Sequence, residues 1–192
     1  MKKILMLIDL QYDFICGSLR VNGAVDTMNN LVEYIRENGK TYEFIILTVD
    51  WHPFSHCSFK INGGIWPVHC QQHTQGAAIY QPIIDVLNEI GVEYHILQKG
   101  INDDHEEYSI FKNFESKNRI DELVGNFNID EIDLCGIAFD YCVADSCKDG
   151  LRALPNINFN VIRELSPSIG DGKEFIDFVN NSERIKWKKI IV

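Results

Sequence analysis

Apolar and polar positions along this 192-residue chain alternate between two kinds of segment. KKILMLID (2–9) and EFIILTVD (43–50) are almost wholly apolar in their interiors and end in aspartate, the pattern of strands buried on both faces. EYHILQK (93–99) and EIDLCGI (131–137) read as two more, and NFNVIRE (158–164) and the closing KKIIV (188–192) predict a fifth and a sixth. Between them, AVDTMNNLVEYIREN, YQPIIDVLNEIG and KNRIDELVGNF space their apolar residues three or four apart, as amphipathic helices do. Ile83, Ile84, Leu87 and Ile90 form one such stripe, and Gly91 is a natural stop. DYCVADSCKDGLRAL, directly after the fourth strand, predicts a further helix.

Strand and helix in strict alternation predict a three-layer α/β/α fold with a mostly parallel central sheet of about six strands, in one domain over 1–192. No internal repeat, low-complexity tract or linker interrupts it. Residues 51–78 and 100–115 lack periodicity, and long loops in a compact domain usually carry function.

A formal charge of -10 leaves no basic patch for a phosphate backbone, which excludes nucleic acid as a partner and suits a small molecule. MKKILMLIDL starts like a signal peptide, but Asp9 ends the apolar run after Ile4 to Ile8, too early for one. No stretch has the roughly 20 apolar residues of a membrane span. A cytoplasmic location follows as the expectation, with Cys16, Cys57, Cys70, Cys135, Cys142 and Cys147 as thiols lacking any C-x-x-C spacing.

In open α/β sheets ligands bind outside the carboxyl ends of the strands. Those ends carry Asp9, Asp50 and Lys99, and the fourth strand runs into GIAFDYCV with Cys142. A thiol at a helix N-terminus meets unpaired N–H groups and the positive dipole end, both favouring thiolate, and the same turn can aim N–H groups at an oxyanion. Cys142 reads equally as one more buried thiol. Asp9 closing an apolar strand is either a proton acceptor for a cysteine or a loop cap. Lys99 beside them would stabilise negative charge; alone it would be a lysine reaching for water.

DWHPFSH (50–56) sets Asp50, His52 and His56 within seven residues, a carboxylate–imidazole group that suits a divalent metal. The same loop supplies His69 in WPVHC, with His73 and Cys70 as competitors for the fourth position. A solvated turn with surface histidines is the plainer alternative. His95 inside a strand reads as a core histidine, and His105 in NDDHEE as part of a solvated face.

Taken in order, DLQYDF (9–14), DWHPFSHCSF, WPVHC, QKG (98–100), EYSIF (107–111) and GIAFDYCV (136–143) resemble the nicotinamidase/pyrazinamidase branch of the isochorismatase-like cysteine hydrolases. The likeness runs to about residue 155. It implies a catalytic triad of Asp9, Lys99 and Cys142, and metal ligands Asp50, His52, His56 and His69, choosing against His73. It implies a cis peptide at Ile137–Ala138 and an oxyanion hole from the N–H groups of Ala138 and Cys142. Phe14 and Trp66 match residues that sandwich a pyridine ring, and Tyr108 matches a third pocket residue. Phe139 stands where relatives often carry Thr, an expected influence on the substrate pocket.

The implied activity is metal-dependent hydrolysis of nicotinamide to nicotinate and ammonia through a cysteine thioester, in NAD salvage, with pyrazinamide as a second substrate. The implied cofactor is one divalent metal ion, zinc first, with iron or manganese also suited to the donors. A homo-oligomer stays open. Competing readings are a superfamily hydrolase acting on isochorismate or a carbamoyl amide, a non-catalytic metal- or nicotinamide-binding protein, and a zinc-stabilised interaction module using Cys57 or Cys70.

Overall fold

The computed structural model describes residues 1–190. Six strands form one sheet, β1 (Lys3–Ile8), β2 (Ile45–Asp50), β3 (Tyr94–Lys99), β4 (Glu131–Gly136), β5 (Asn158–Val161) and β6 (Ile185–Trp187). Every pairing is parallel and the spatial order is β3-β2-β1-β4-β5-β6. The chain therefore builds outward from β1 in one direction, then crosses back to build in the other, leaving a switch point between β1 and β4. The expected α/β/α architecture is present, with all strands parallel.

Strand β1 explains why such a sheet needs helices on both faces. Ile4, Met6 and Ile8 enter one core and Leu5 and Leu7 the other, all fully buried. Each such side chain contributes roughly 1.5–3 kcal/mol by leaving water. Helices α2 (Ala24–Asn38) and α3 (Gln81–Ile90) cover the Leu5 face through Met28, Leu31 and Ile35 and through Ile83, Val86 and Leu87. Helix α3 begins with Pro82 in its first turn and ends at Gly91, whose φ of 67° only glycine adopts without strain. On the opposite face lie α4 (Phe114–Phe127), α5 (Ala144–Ala153) and α6 (Lys173–Asn180). A single turn of helix, α1 (Tyr12–Ile15), follows β1.

Three elements differ from the sequence expectation. The sixth strand lies at Ile185–Trp187 rather than 188–192; Lys188 to Ile190 are not strand, and residues 191–192 fall outside the described residues. Helix α6 was not expected, because eight residues make barely two turns and leave little length for a helical period to register. The helix predicted over 140–154 splits into a wide π-type turn, Phe139–Val143, and then α5. No helix among the described residues is long and apolar enough to cross a membrane.

A buried polar network stitches the C-terminal segment to the sheet. Asp133, fully buried in β4, accepts hydrogen bonds from Tyr42 Oη (2.7 Å), Lys188 Nζ (2.6 Å) and Asn160 Nδ2 (2.8 Å). Tyr34 Oη in α2 lies 2.5 Å from Tyr42 Oη. Burial raises the pKa of both tyrosines, and Asp133 raises that of Tyr42 further. Burial opposes charge on Lys188, but its bond to Asp133 outweighs this and raises its pKa too. All three groups hold their protons longer folded than unfolded, so their contribution is intact below about pH 10 and lost as pH rises above the unfolded values. Urea denaturation from pH 8 to 11 should give a steady stability that then declines above about pH 10. Tyr42→Phe should flatten that decline, and an unchanged slope would show that the network does not carry it.

Candidate active site and metal centre

The register of the sheet brings the polar strand ends together. Asp50 and Lys99 are paired neighbours at the ends of β2 and β3, while Ile8 pairs with both Thr48 and Gly136. Asp9 therefore emerges from β1 between Asp50 and the turn that carries Cys142. Gly136 has φ 132°, and a Cβ there would sit 2.2 Å from Ile8 O, so only glycine lets the chain leave β4 this close to β1. Asp9 itself adopts a left-handed φ of 51°, uncommon for a residue with a side chain and typical of constrained sites.

Lys99 Nζ is the centre of the cluster. It lies 2.9 Å from Asp9 Oδ2, donates to Asp50 Oδ1, and donates to Cys142 Sγ at 3.4 Å. Lys99 and Asp9 are fully buried and Asp50 and Cys142 nearly so. One acidic oxygen from each aspartate and the Cys142 sulfur lie within 4.8 Å of one another. Thr48 Oγ1 donates to Asp9 Oδ1 at 2.6 Å and fixes the carboxylate.

Charge is distributed unevenly across this group. Burial works against the Lys99 ammonium, but Asp50 and Asp9 together outweigh it and raise the Lys99 pKa well above the usual lysine range. Burial works against the Asp50 carboxylate too, yet Lys99 and His52 bring its pKa below the usual range. Asp9 goes the other way, raised chiefly by burial despite Lys99. Burial likewise raises Cys142 well above an ordinary thiol, with Asp9 and Asp50 adding to the rise and Lys99 opposing it. Cys142 sits in the wide turn ahead of α5, enclosed beside two carboxylates whose charge opposes a thiolate while Lys99 favours one. A carboxylate with a raised proton affinity next to a thiol is an arrangement for moving a proton.

The turn places the backbone as well. The Ile137–Ala138 peptide is cis. Bonds to Pro167 O and Ala138 O take up the N–H groups of Phe139, Tyr141 and Val143, and leave out those of Ala138 and Cys142.

Beside this cluster the expected ligand side chains converge. Asp50, His52 and His69 each present an atom within 4.8 Å of the others. His52 Nδ1 donates to Gly100 O at 2.9 Å and His69 Nδ1 to Pro67 O at 2.8 Å. Carbonyls only accept, so both Nδ1 atoms carry a proton, which makes Nε2 the atom each ring can offer as a ligand. His52 Nε2 is buried without a hydrogen bond, 3.4 Å from Asp50 Oδ2 but misaligned for one. His56 stands outside the three-residue cluster, its ring centroid 4.0 Å from that of His52 and its buried Nε2 also without a partner. Its Nδ1 meets Ser58 Oγ at 2.7 Å, and a hydroxyl can give or take, so its tautomer is not dictated. Burial and the neighbouring His52 lower the His56 pKa to about 4, which keeps the ring neutral. Phe59 lies within 5.4–5.7 Å of all three rings and forms their apolar floor. Orphaned buried nitrogens and an acidic oxygen aimed at one point fit a divalent cation.

The competitors are elsewhere. His73 is exposed against Trp51, and neither Cys57 nor Cys70 joins a ligand cluster among the described residues. The Cys70 N–H instead bonds Asp13 Oδ2 at 2.7 Å, which pins the His69 loop to α1.

A cleft opens onto both clusters, lined by Phe14, Trp66, Tyr108 and Ala138 together with Asp50, His69 and Cys142. Phe14 packs against His69 at 5.6 Å, and Trp66 Nε1 donates to Tyr108 Oη at 2.9 Å. Phe139 does not line it. Its fully buried ring is enclosed by Phe175, Trp187 and the Arg163 guanidinium, where a large apolar side chain gains more than at an open cleft. Sequence reasoning missed Tyr141 and Glu106, both in the cleft wall. It also missed Gln11, fully buried, which donates to Asp50 O (2.7 Å) and Ala77 O (2.9 Å) and accepts from Asp50 N (2.8 Å). The glutamine of D-x-Q was a visible signal, since a side-chain amide there can both donate to and accept from a neighbouring strand end.

The fold and the enclosed acid–lysine–thiol group define the class, a three-layer α/β/α hydrolase. An isochorismatase domain model matches residues 3–161, and the chain belongs to that family. Nicotinamidase of Escherichia coli is 31% identical over 177 residues, 81% of this chain and 79% of that protein. The nicotinamidase/pyrazinamidase of Mycobacterium tuberculosis is 30% identical over 156 residues, 78% of this chain and 79% of that one. The crystal structure of pyrazinamidase of Pyrococcus horikoshii in complex with zinc superposes with a TM-score of 0.81 at 27% identity, covering 99% of this chain and 100% of that one.

Gln11→Ala would strip partners from a buried N–H and two buried carbonyls, each worth about 1–3 kcal/mol when left unsatisfied. Urea denaturation should show a loss of at least about 2 kcal/mol. A variant as stable as its parent would mean that water replaces the clasp.

Proposed function

We propose that this protein hydrolyses nicotinamide to nicotinate and ammonia, with Cys142 as nucleophile and the Asp50–histidine cluster as a metal site. The observation that carries the reading is the shared cleft: Cys142 and two of the three clustered ligand side chains, Asp50 and His69, border one aromatic-walled space, with Lys99 buried behind them and bonded to both Asp50 and the Cys142 sulfur. Nicotinamidase and pyrazinamidase relatives support the substrate class, and the same chemistry extends to pyrazinamide.

Asp9 takes the proton from the Cys142 thiol, and Lys99 keeps the pair in register while its charge stabilises the sulfur anion. Sulfur attacks the amide carbon, and the N–H groups of Ala138 and Cys142 are the donors available to the oxyanion. Asp9 then returns the proton to the leaving nitrogen, ammonia departs and a thioester remains. Water, deprotonated by Asp9, attacks the thioester; the acid leaves and the thiol is restored. Phe14 and Trp66, both in the cleft wall, flank the ring and position its amide at Cys142.

Asp50, His52 and His69, with His56 beside them, would hold the divalent cation. Once bound, it supplies a Lewis-acid position for the ring nitrogen of the substrate. Zinc is the first choice, supported by the zinc complex of the Pyrococcus horikoshii relative, and the donor set also suits iron or manganese. Six cysteines without a disulfide support a reducing, cytoplasmic setting, and the nicotinamidase relatives are what supports a role in NAD salvage.

Ammonia release from nicotinamide tests the reading. The parent should turn over, Cys142→Ala should not, and Asp9→Asn should lose about 10²–10⁴-fold in kcat. Benzamide, which lacks the ring nitrogen, should be bound more weakly than nicotinamide. Equal turnover of the two amides would sink the assignment of the ring to the metal side, and a folded, metal-loaded parent that releases no ammonia would sink the substrate.

A further inference from the structure

The acidic segment after β3, INDDHEE (101–107), has no role in the chemistry above, yet one of its carboxylates is almost completely buried. Glu107 is 1% exposed, while residues 101–105 are all exposed. A buried carboxylate is costly unless each oxygen is engaged, so its partners show what it holds. Glu107 Oε2 accepts from Gly100 N at 2.7 Å and from Asn113 Nδ2 at 3.2 Å, and Glu107 Oε1 lies 3.3 Å from His105 Nε2.

Gly100 is the key partner because it faces His52. Its carbonyl is the acceptor for His52 Nδ1, and its φ is 65°. A Cβ at Gly100 would lie 2.3 Å from His52 Cε1, so backbone and imidazole are in direct contact. The Gly100 N–H also belongs to the peptide that begins at Lys99, whose carbonyl accepts from Trp51 N at 2.9 Å. One carboxylate thus fixes the peptide that joins the catalytic-cluster lysine to the residue orienting a ligand histidine. Asn113 anchors the other side, since its Oδ1 caps α4 through Ser116 N at 3.1 Å while its Nδ2 reaches Glu107. The segment is further tied to the histidine loop by Cys57 N to Asp103 O at 2.8 Å and Ser55 Oγ to Asp103 Oδ2 at 3.1 Å.

We propose that Glu107 is a positioning residue for the metal site, holding Gly100 so that its carbonyl sets the tautomer and aim of His52. The inference rests on the reading of Asp50, His52 and His69 as metal ligands. Outer partners that orient a ligand histidine commonly govern metal affinity by about 10–100-fold. Here the orienting group is a backbone carbonyl, and the carboxylate acts one peptide further out.

The test is a titration of metal-stripped protein with Co²⁺ and Zn²⁺ alone against a chromophoric chelator, well below the unfolding temperature. Glu107→Ala should lose about 10–100-fold in affinity and alter the visible absorption of bound cobalt. Glu107→Gln keeps an oxygen able to accept from Gly100 N and should bind close to the parent. If Glu107→Ala does not fold, Glu107→Asp, which withdraws the carboxylate by one methylene, should show the same loss. A purely structural role would lower the melting temperature and leave affinity and cobalt spectrum unchanged in the folded variant, which overturns the proposal. A parent that binds neither ion overturns the metal reading itself, and the inference with it.

Discussion

A single ammonium organises this molecule. Lys99 Nζ, with no exposure to water, touches Asp9, Asp50 and the Cys142 sulfur. Taking such charges out of water costs several kcal/mol per ion, and the arrangement survives only because each charge faces an opposite one in good geometry. Remove the lysine and two buried carboxylates remain within 4.8 Å of each other with nothing between them. Asp9 on one side of Lys99 has a raised proton affinity and Asp50 on the other a lowered one, so two carboxylates of identical chemistry differ in how readily they take up a proton.

The sheet is what makes that lysine affordable. Parallel, in-register strands deliver Asp9, Asp50 and Lys99 to the same edge, and the crossover between β1 and β4 opens a gap there. Around the gap, neutral polar groups complete what the charges leave undone. Gln11 clasps the Asp50 backbone, Thr48 holds Asp9, and carbonyls of Gly100 and Pro67 take the Nδ1 protons of His52 and His69. These partners are far apart in sequence, and the irregular segments 51–78 and 100–115 supply two of them, Pro67 and Gly100.

Much of the fold was legible in the chain. Uninterrupted apolar runs such as ILMLI and IILTV can only be strands buried on both faces, and α2 was predicted with its observed limits because fifteen residues display four turns of apolar spacing. Short elements were not legible: α6 and β6 are too brief for a period to register, and β6 falls in a segment of alternating charge. In the site, Asp9, Lys99 and Cys142 were visible as strand-end polar residues. The direction of Phe139 was not, since a residue in a wide turn can point to either side and only the docking of α6 and Trp187 decides it.

By itself, the sequence determined the first five strands, the parallel class and the residue types gathered at the strand ends, because these follow from hydrophobic period and chain order. Only the tertiary structure decided which of those polar groups touch, that burial raises the proton affinity of Asp9 and Cys142, and that Glu107 turns inward while Asp103 and Asp104 face water. The physical reason is range. Periodicity is a property of neighbours three or four residues apart, whereas burial and charge at this site are set by partners 39 to 49 residues away along the chain.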